Sequence, residues 1–417
     1  MKNVVILGSG FAGVNAAKAL CRDKNLQIAI IDERNYHLFQ PLLYQVAIGA
    51  LSGSDIAVPI RTIFSKFPNV RVVKERAKSV DLKKKKVVTD IQELSYDYLI
   101  MSCGAKHSYF GHYEWEEFAP GLKTLEQALE IRNRILEAFE EAERQCDNKC
   151  INQLLTFAIV GGGPTGVELA GAIAEMGQLI LKGDFRNIDP KKVCVVLIEA
   201  GPRLLTGFCE KMSIRAKKDL EGMGVEVKLN AQVTNIDKNG VTIGKERIEA
   251  ATVLWAAGVD AAAINKTLEL ELDRSGRVTV GPDLSIKNYP EVFVIGDQAN
   301  CPGKNGKSLP GVATVALQQG TLAGKNILRD IKGLPRKNFK FFDKGSAATI
   351  GRSKAIVEVG PFKFGGLLAW IIWLFIHLWF LTGFENRVVV LFRWAWVYLR
   401  HRHGARIIMS RQWRFYG

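Results

Sequence analysis

The chain opens with a short run of apolar residues that ends in a cluster of glycines. Residues 4–7 are all apolar, which predicts a strand buried on both faces, as in a parallel sheet. The glycines that follow have the spacing G-x-G-x-x-G and are Gly8, Gly10 and Gly13. The first allows a tight turn, the second lets a pyrophosphate approach the backbone, and the third lets the next helix pack closely on the strand.

A helix and a second strand complete this unit. Residues 14–20 predict a helix whose N-terminal amides face the phosphates, and residues 27–31 predict a strand that ends in Asp32 and Glu33. A carboxylate at this position can accept a hydrogen bond from a ribose hydroxyl. The order of elements therefore predicts a β-α-β unit that binds a dinucleotide. We expect no cleaved secretory signal, because the glycines interrupt the apolar run.

The same pattern recurs in the middle of the chain. Apolar residues 157–160 precede a second set of glycines at the same spacing, namely Gly161, Gly163 and Gly166. The next predicted strand, residues 193–198, ends in Glu199, and a polar insertion explains the long gap before it. Two such patterns imply two dinucleotides, or one dinucleotide and an adenine-bearing partner. A carboxylate at Glu199 favours NADH over NADPH, because it would repel a 2′-phosphate.

Three further apolar runs end in small residues. Residues 98–102, 253–256 and 292–295 each predict a buried strand. The residues that follow these strands are Cys103 and Gly104, Ala257 and Gly258, and Gly296 and Asp297. Small residues would let a cofactor lie against the backbone, and Asp297 could bind a ribityl or ribose hydroxyl.

Length, composition and charge limit the classes of protein to which the chain can belong. A chain of 417 residues with 47% hydrophobic residues can form two or three domains with their own cores. The formal net charge is +15, and the part after residue 334 holds 14 Lys and Arg against 3 Asp and Glu, together with six of the eight tryptophans. Because this basic region is also strongly apolar, it indicates an anionic membrane surface rather than nucleic acid.

The pattern of this basic region predicts two helices. Residues 367–382 are apolar nearly all round, and at about 16 residues they are short for a bilayer span. Residues 386–399 mix apolar residues with arginines, which is typical of a helix lying in the membrane interface. A spanning helix and a buried core or dimer helix remain alternatives.

The seven cysteines exclude one large class of flavin enzyme. They form no C-x-x-C pair and no metal-type cluster, and none lies between residues 23 and 102. A disulfide-type reductase would carry a redox-active pair close to its first glycine turn. The cysteines are therefore interpreted as ordinary thiols in a reducing compartment, and no metal is expected.

Several of these features together resemble type II NADH dehydrogenase, the single-subunit, non-proton-pumping NADH:quinone oxidoreductase. They are the motif YHLFQPLLYQ at residues 36–45, the two glycine patterns, WAAGV at residues 255–259, Gly296-Asp297 and the Trp-rich tail. The resemblance implies an α/β fold with two Rossmann-type dinucleotide-binding domains and a C-terminal membrane-anchoring helical segment. It divides the chain into a FAD domain (residues 1–118 and 275–334), an NADH domain (152–274) and an anchor (335–417).

The resemblance also implies roles for individual residues. Non-covalent FAD would be held by the first glycine pattern and by Asp32, Glu33, Ala77, Cys103, Gly104, Asp297 and Ala313. NADH, the substrate, would be held by the second pattern and by Glu199, Ala257 and Gly258. The catalytic residues would be Glu168, Gln318 and Lys344. The family's A-Q-x-A-x-Q quinone motif is matched by Ala313, Ala316 and Gln318, whereas Thr314 stands in place of the first glutamine.

The expected partners are a quinone and the cytoplasmic face of a membrane, to which the chain would bind peripherally, with a homodimer as an open possibility. Nucleic acid is not expected. One alternative function is a sulfide:quinone oxidoreductase, which would need reactive cysteines at the flavin. Another is a flavin-bearing NADH sensor or scaffold resembling apoptosis-inducing factor.

Overall fold

The computed structural model describes residues 1–303, 306, 308–400 and 403–409. This part of the chain divides into two compact units. Unit 1 consists of Met1–Leu38, Ala57–Lys106 and Val259–Lys344, and unit 2 consists of Phe39–Ile56, His107–Gly258 and the described residues from Gly345 onward. The assignment of FAD, NADH and membrane binding to separate domains stays a prediction.

The strands are short, and most pair with one or two neighbours. In chain order they are β1 (Lys2–Leu7), β2 (Leu26–Asp32), β3 (Tyr36–Leu38), β4 (Ala57–Pro59), β5 (Val70–Lys74), β6 (Ala77–Asp81), β7 (Lys86–Thr89), β8 (Glu93–Ser95), β9 (Tyr98–Met101), β10 (Ala105–His107), β11 (Thr156–Val160), β12 (Cys194–Ile198), β13 (Val225–Lys228), β14 (Val233–Asp237), β15 (Gly240–Ile243), β16 (Glu246–Glu249), β17 (Thr252–Trp255), β18 (Val259–Ala261), β19 (Val278–Thr279), β20 (Ser285–Ile286), β21 (Tyr289–Val294), β22 (Ala299–Asn300), β23 (Ser346–Gly351), β24 (Lys354–Val359) and β25 (Phe362–Gly365).

The α-helices vary from one turn to five. In chain order they are α1 (Phe11–Leu20), α2 (Leu43–Ala47), α3 (Gly53–Ile56), α4 (Ile60–Phe64), α5 (Leu125–Arg144), α6 (Asn148–Leu154), α7 (Pro164–Glu175), α8 (Glu210–Glu221), α9 (Ala313–Ile331), α10 (Leu367–Phe380) and α11 (Phe384–Arg400). A π-helical turn, Met176–Ile180, continues α7.

Unit 1 is built around a six-stranded sheet with the order β20-β21-β9-β1-β2-β5. Its central strand β1 pairs in parallel with β2 and β9, so that the carboxyl ends of these strands lie at one edge. Helix α1 packs closely on α9, because Gly320 has no side chain: a Cβ there would lie 2.1 Å from the Ala12 carbonyl oxygen. This packing brings the N-termini of α1 and α9 to the same edge of the sheet.

Unit 2 contains the second parallel sheet, with the order β13-β12-β11-β17. Helix α7 follows its central strand β11 and also packs against β23, where Gly171 lies so close that a Cβ would be 1.6 Å from the Ile350 carbonyl oxygen. The strands β23, β24 and β25 form an antiparallel sheet that precedes the C-terminal helices.

The tail forms the two helices expected from the sequence, α10 and α11. Ala369, Trp373 and His377, spaced four residues apart, form a buried face of α10, whereas Phe375 and Trp379 are 72% and 77% exposed. Within the described residues, neither these helices nor any other combine the length and apolar character that a bilayer crossing requires. One face of the tail is therefore buried in the core of unit 2, and another face is exposed.

Candidate functional sites

The first glycine turn has the geometry that its spacing predicts. Gly8 adopts a left-handed conformation (φ +88°), and a Cβ there would lie 2.4 Å from the Ser102 carbonyl oxygen. A Cβ on Gly13 would lie 2.0 Å from the Gly8 carbonyl oxygen, so α1 can approach the turn only with glycine at this position. At Gly10, in contrast, a Cβ would have no neighbour within 4 Å, which leaves open space beside the backbone.

Asp32 holds this turn in place from the end of β2. Its Oδ2 accepts hydrogen bonds from the Ser9 backbone N–H (2.6 Å) and from Ser9 Oγ (2.7 Å). The buried His37 supports the turn from the other side, with Nδ1 lying 2.8 Å from the Ser9 carbonyl oxygen. Glu33 instead forms surface ion pairs with Arg34 and Arg76. Of the two predicted acids, Asp32 is therefore the one in contact with the glycine turn.

The second glycine turn repeats this geometry. Gly161 is left-handed (φ +112°), and a Cβ on Gly166 would lie 1.8 Å from the Gly161 carbonyl oxygen. Gly163 faces open space, as Gly10 does. Glu199 corresponds to Asp32, because its carboxylate accepts from the backbone N–H groups of Gly162 (2.6 Å) and Gly201 (2.7 Å). The same sequence pattern has thus produced the same turn twice.

Both turns suit the pyrophosphate of a dinucleotide. No side chain of the described residues caps the N-terminus of α1 or of α7, and neither helix carries an acidic residue in its first turn. An anion at either N-terminus would therefore meet no negative charge from the first helical turn, and the glycine at each N-terminus leaves room for it. This geometry fits the cofactor and the substrate expected from the sequence.

Four of the other predicted cofactor residues of unit 1 lie near the ends of strands or at the start of a helix, whereas Ala77 packs in the core. Cys103 is exposed and Gly104 is left-handed with open space beside it, and both lie at the end of β9 next to Gly8. Asp297 lies beside Gly311, just before α9, whose first residue is Ala313. Ala77, in contrast, begins β6 and packs against the hydrophobic core of this unit.

Two buried glutamines hold these turns, and no motif in the sequence indicated a role for either. Gln298 accepts from the Cys103 backbone N–H and donates to Asn265 Oδ1 (2.6 Å). Gln319 accepts from the Gly296 backbone N–H (2.7 Å). Each amide satisfies a backbone group at a strand end, which fixes the edge of the sheet where the cofactor is expected.

The side-chain amide of Gln318 forms hydrogen bonds within unit 1. Its Nε2 donates to the carbonyl oxygens of Thr314 (3.1 Å) and Phe342 (2.9 Å), and its Oε1 accepts from the Phe342 backbone N–H (3.0 Å). Gln318 therefore fixes the segment that leads to Lys344. Its expected role as a donor to the quinone stays a prediction.

Ala257 and Gly258 follow β17 at the edge of the second sheet. Gly258 is left-handed (φ +69°), and a Cβ there would lie 2.6 Å from the Phe110 ring. The indole of Trp255 donates to the Ser108 carbonyl oxygen (2.9 Å), which fixes the neighbouring loop. Because Ala257 has only a methyl group and Gly258 has no side chain, neither residue covers the end of β17.

Unit 2 also contains a cavity of about 110 Å³, here called the α7 cavity. Its walls come from α2 with the residues after it, α7, the β23–β24 turn, α10, α11 and His403. The wall includes three tryptophans, Trp370, Trp373 and Trp394, together with two carboxyl groups, Glu168 and Glu175. An apolar cavity with a few polar groups is the usual form of a small-molecule site.

Glu168, the predicted catalytic acid, lies in this wall. Burial raises its pKa to about 8, although the nearby Thr349 backbone N–H favours the ionised form. At neutral pH the side chain is therefore mostly a neutral carboxylic acid, which can donate a hydrogen bond or a proton. Such a shift in a cavity is typical of a functional acid.

A chain of hydrogen bonds crosses the cavity wall. The indole of Trp394 in α11 donates to Gln45 Oε1 (2.7 Å), and Gln45 Nε2 donates to the Tyr44 hydroxyl oxygen (2.9 Å). All three residues line the cavity. The motif at residues 36–45 contains Tyr44 and Gln45, but only the fold shows that they meet the tail.

Comparisons with known proteins identify the family. The family model described as "Pyridine nucleotide-disulphide oxidoreductase" matches residues 2–320. The chain is 44% identical to the type II NADH:quinone oxidoreductase Ndh of Mycobacterium tuberculosis (strain ATCC 25618 / H37Rv), over 98% of this chain and 90% of that protein. It is 45% identical to NdhA of the same organism, over 98% and 89%.

A structural comparison supports the fold. The structure of NDH2 from Plasmodium falciparum in complex with NADH is similar with a TM-score of 0.89 and 20% identity, over 98% of this chain and 100% of that chain. The expected α/β fold and enzyme class are confirmed, and the curated relatives favour this class over the two alternative functions. The chain belongs to the type II NADH:quinone oxidoreductase family.

Proposed function

We propose that this chain oxidises NADH and reduces a membrane quinone through non-covalently bound FAD, without pumping protons. The observation that carries the proposal is the pair of matching glycine turns in a chain that also has an acid-containing, tryptophan-lined cavity. The turns would account for two dinucleotides, and the cavity would account for an acceptor with a flat ring. Membership of the family supports the same reaction.

FAD would bind in unit 1. Its pyrophosphate would lie on the N-terminus of α1 beside Gly10, and Asp297 would bind a hydroxyl group near the start of α9. When bound, the flavin supplies hydride acceptance and electron transfer to the quinone. The side chains of unit 1 position the cofactor, with Asp32 and His37 holding the turn on which the phosphates would rest.

NADH would bind in unit 2. Its pyrophosphate would lie at Gly163, and the small residues Ala257 and Gly258 would let it approach the end of β17. Glu199 is held by two backbone N–H groups, and each carboxylate oxygen keeps a second lone pair for a ribose hydroxyl. A 2′-phosphate at the same place would be repelled, which favours NADH over NADPH.

The quinone ring would bind in the α7 cavity. Tryptophan side chains offer flat apolar surfaces for the ring, and neutral Glu168 offers a proton for a quinone oxygen. Lys344 lies in unit 1, and its expected catalytic role stays a prediction. Gln318 acts in this scheme as a positioning residue, because its amide holds the backbone two residues before Lys344.

Membrane binding would use the open face of the tail. The largest exposed apolar side chains of α10 and α11 are Phe375, Trp379, Phe384, Phe392, Trp396 and Leu399. Such aromatic and apolar residues insert into the interface of a bilayer, and nearby arginines attract anionic lipids. The chain would attach peripherally to the cytoplasmic side of the membrane.

The two half-reactions of Glu168→Gln test the proposal. In stopped-flow experiments NADH should bleach the flavin absorbance at a rate within twofold of wild type. Reoxidation by a short-tailed benzoquinone should be slower by about 10²-fold or more, as expected for loss of a positioned acid. Glu221→Gln removes an exposed carboxylate from α8 and serves as the control. Equal rates of reoxidation in all three proteins would contradict the assignment of the quinone to the α7 cavity.

A further inference from the structure

The α7 cavity contains a second acid that the proposed reaction has not used. Glu168, Ala172 and Glu175 lie at positions i, i+4 and i+7 of α7, so they share one face of the helix, and all three line the cavity. Seven residues of helix correspond to about 10 Å along the axis. The cavity wall therefore has one carboxyl group near the glycine turn and another at the far end of the helix.

The surroundings of Glu175 differ from those of Glu168. Its Oε2 accepts from the Arg352 backbone N–H (3.1 Å), and the Arg352 guanidinium stacks over the Tyr398 ring at 4.1 Å. Burial raises the pKa of Glu175, whereas the hydrogen bond and charge of Arg352 oppose the shift.

Within the part of the chain that the structure describes, few titratable groups line the cavity. Besides Glu168 and Glu175 they are Tyr44 of α2, Arg352 of the β23–β24 turn, Tyr398 of α11 and His403. Burial lowers the pKa of His403 to about 4, so this side chain is neutral near pH 7. The two carboxyl groups are the acids of the cavity whose pKa burial raises above the ordinary carboxyl value, and they lie on one face of α7.

Tyr44 can connect the two acids. Tyr44, Glu168 and Glu175 all line the cavity. Burial raises the pKa of the Tyr44 hydroxyl, and the charges of the two carboxylates add to this shift. Its oxygen accepts from Gln45 Nε2, so its own O–H remains able to donate elsewhere. One water needs roughly 10–15 Å³ of a cavity of about 110 Å³ by this measure, so a single bridging water takes only a small part of the space proposed for the quinone ring.

We infer that Glu175 is the group through which protons from solvent reach Glu168 during quinone reduction. This inference rests on the proposed function. The overall reaction is NADH + H⁺ + quinone → NAD⁺ + quinol. The hydride of NADH provides both electrons and one proton, and the second proton comes from water. Glu168 gives a proton to a quinone oxygen, and Glu175 returns one to Glu168 through Tyr44 or water and is itself reprotonated from solvent.

Glu175→Gln tests this role in the holoenzyme. We expect reoxidation by a short-tailed benzoquinone to slow by on the order of 10- to 100-fold at pH 8, with flavin bleaching by NADH within twofold of wild type. Imidazole, a small diffusible acid, should restore part of the lost rate in Glu175→Gln and leave wild type unchanged. Glu175→Asp, which keeps the carboxyl group, should retain most of the rate, and Glu221→Gln serves as the surface control.

The outcomes separate this inference from the proposed function. If Glu168→Gln slows reoxidation and Glu175→Gln does not at any pH from 6 to 9, the relay is refuted and the quinone site stands. If neither variant slows reoxidation, the quinone site is refuted as well. Slowing of both half-reactions in Glu175→Gln without rescue by imidazole would show a structural role and would overturn the relay. The same conclusion follows if Glu175→Asp is as slow as Glu175→Gln.

Discussion

The raised pKa of Glu168 predicts how its removal changes stability with pH. A carboxyl group with a pKa of about 8 in the folded chain and 4.5 in the unfolded chain binds more protons when folded between these values. The free energy of unfolding therefore falls as the pH rises from about 4.5 to about 8 and is level above that range. Glu168→Gln keeps a neutral group of similar size at every pH, so it should abolish this fall.

The magnitude follows from the two pKa values. At pH 5 the wild-type free energy of unfolding is lower by about 1 kcal/mol than with a group that stays neutral, because the carboxyl group already ionises in the unfolded chain. At pH 9 it is lower by on the order of 5 kcal/mol. Glu168→Gln should therefore gain about 4 kcal/mol on wild type between these pH values. An entropy of unfolding of roughly 0.9 kcal/mol per kelvin for a chain of this length converts the gain to about 4 °C.

Thermal unfolding of the flavin-loaded proteins measures this gain. The Tm of Glu168→Gln minus that of wild type should be about 4 °C larger at pH 9 than at pH 5, and Glu221→Gln should show no such difference. The reasoning is refuted if the Tm difference between Glu168→Gln and wild type is the same at both pH values. That result would mean that Glu168 ionises as an ordinary surface carboxylate does.

Two further predictions concern the NADH turn and the tail. Glu199→Ser should raise the KM for NADH and reduce the preference for NADH over NADPH in steady-state assays, because the carboxylate that repels a 2′-phosphate is lost; an unchanged preference would show that Glu199 does not face the ribose. Replacing Phe375 and Trp379 together by serine should reduce cosedimentation with anionic vesicles while a small soluble acceptor is still reduced by NADH. Ile214→Ser, at another exposed apolar position, should bind vesicles as wild type does, and equal binding by all three proteins would contradict the assignment of the tail face.

The two glycine turns could be predicted from the sequence because their constraints are local. A left-handed turn at Gly8 and a close contact at Gly13 require glycine within a few residues of the strand, and the same holds for Gly161 and Gly166. Residues 367–382 and 386–399 predicted the two tail helices for the same reason, since apolar composition and helical spacing act within each segment. The sequence placed both Asp32 and Glu33 at the end of β2 but did not show which of them contacts the turn. In the structure Asp32 contacts it and Glu33 does not.

The tail illustrates what local pattern cannot show. Arg393 belongs to the segment predicted to lie in the membrane interface, but its guanidinium pairs with the buried Asp55 at 3.0 Å. Asn386 likewise donates to the backbone of Ser54 and Asp55. These partners lie more than 300 residues away in the chain, so no periodicity within the tail could indicate them.

The sequence by itself determined the two β-α-β segments, the positions of their glycine turns and the helices of the tail, because strand, turn and helix signals depend on neighbouring residues. Only the tertiary structure decided that Tyr44, Glu168, Glu175 and Trp394 line one cavity. These residues come from three distant segments, and their neighbours are set by packing of α2, α7 and α11. Burial in that packing also sets the pKa of Glu168, since the cost of its charge depends on the loss of water around it.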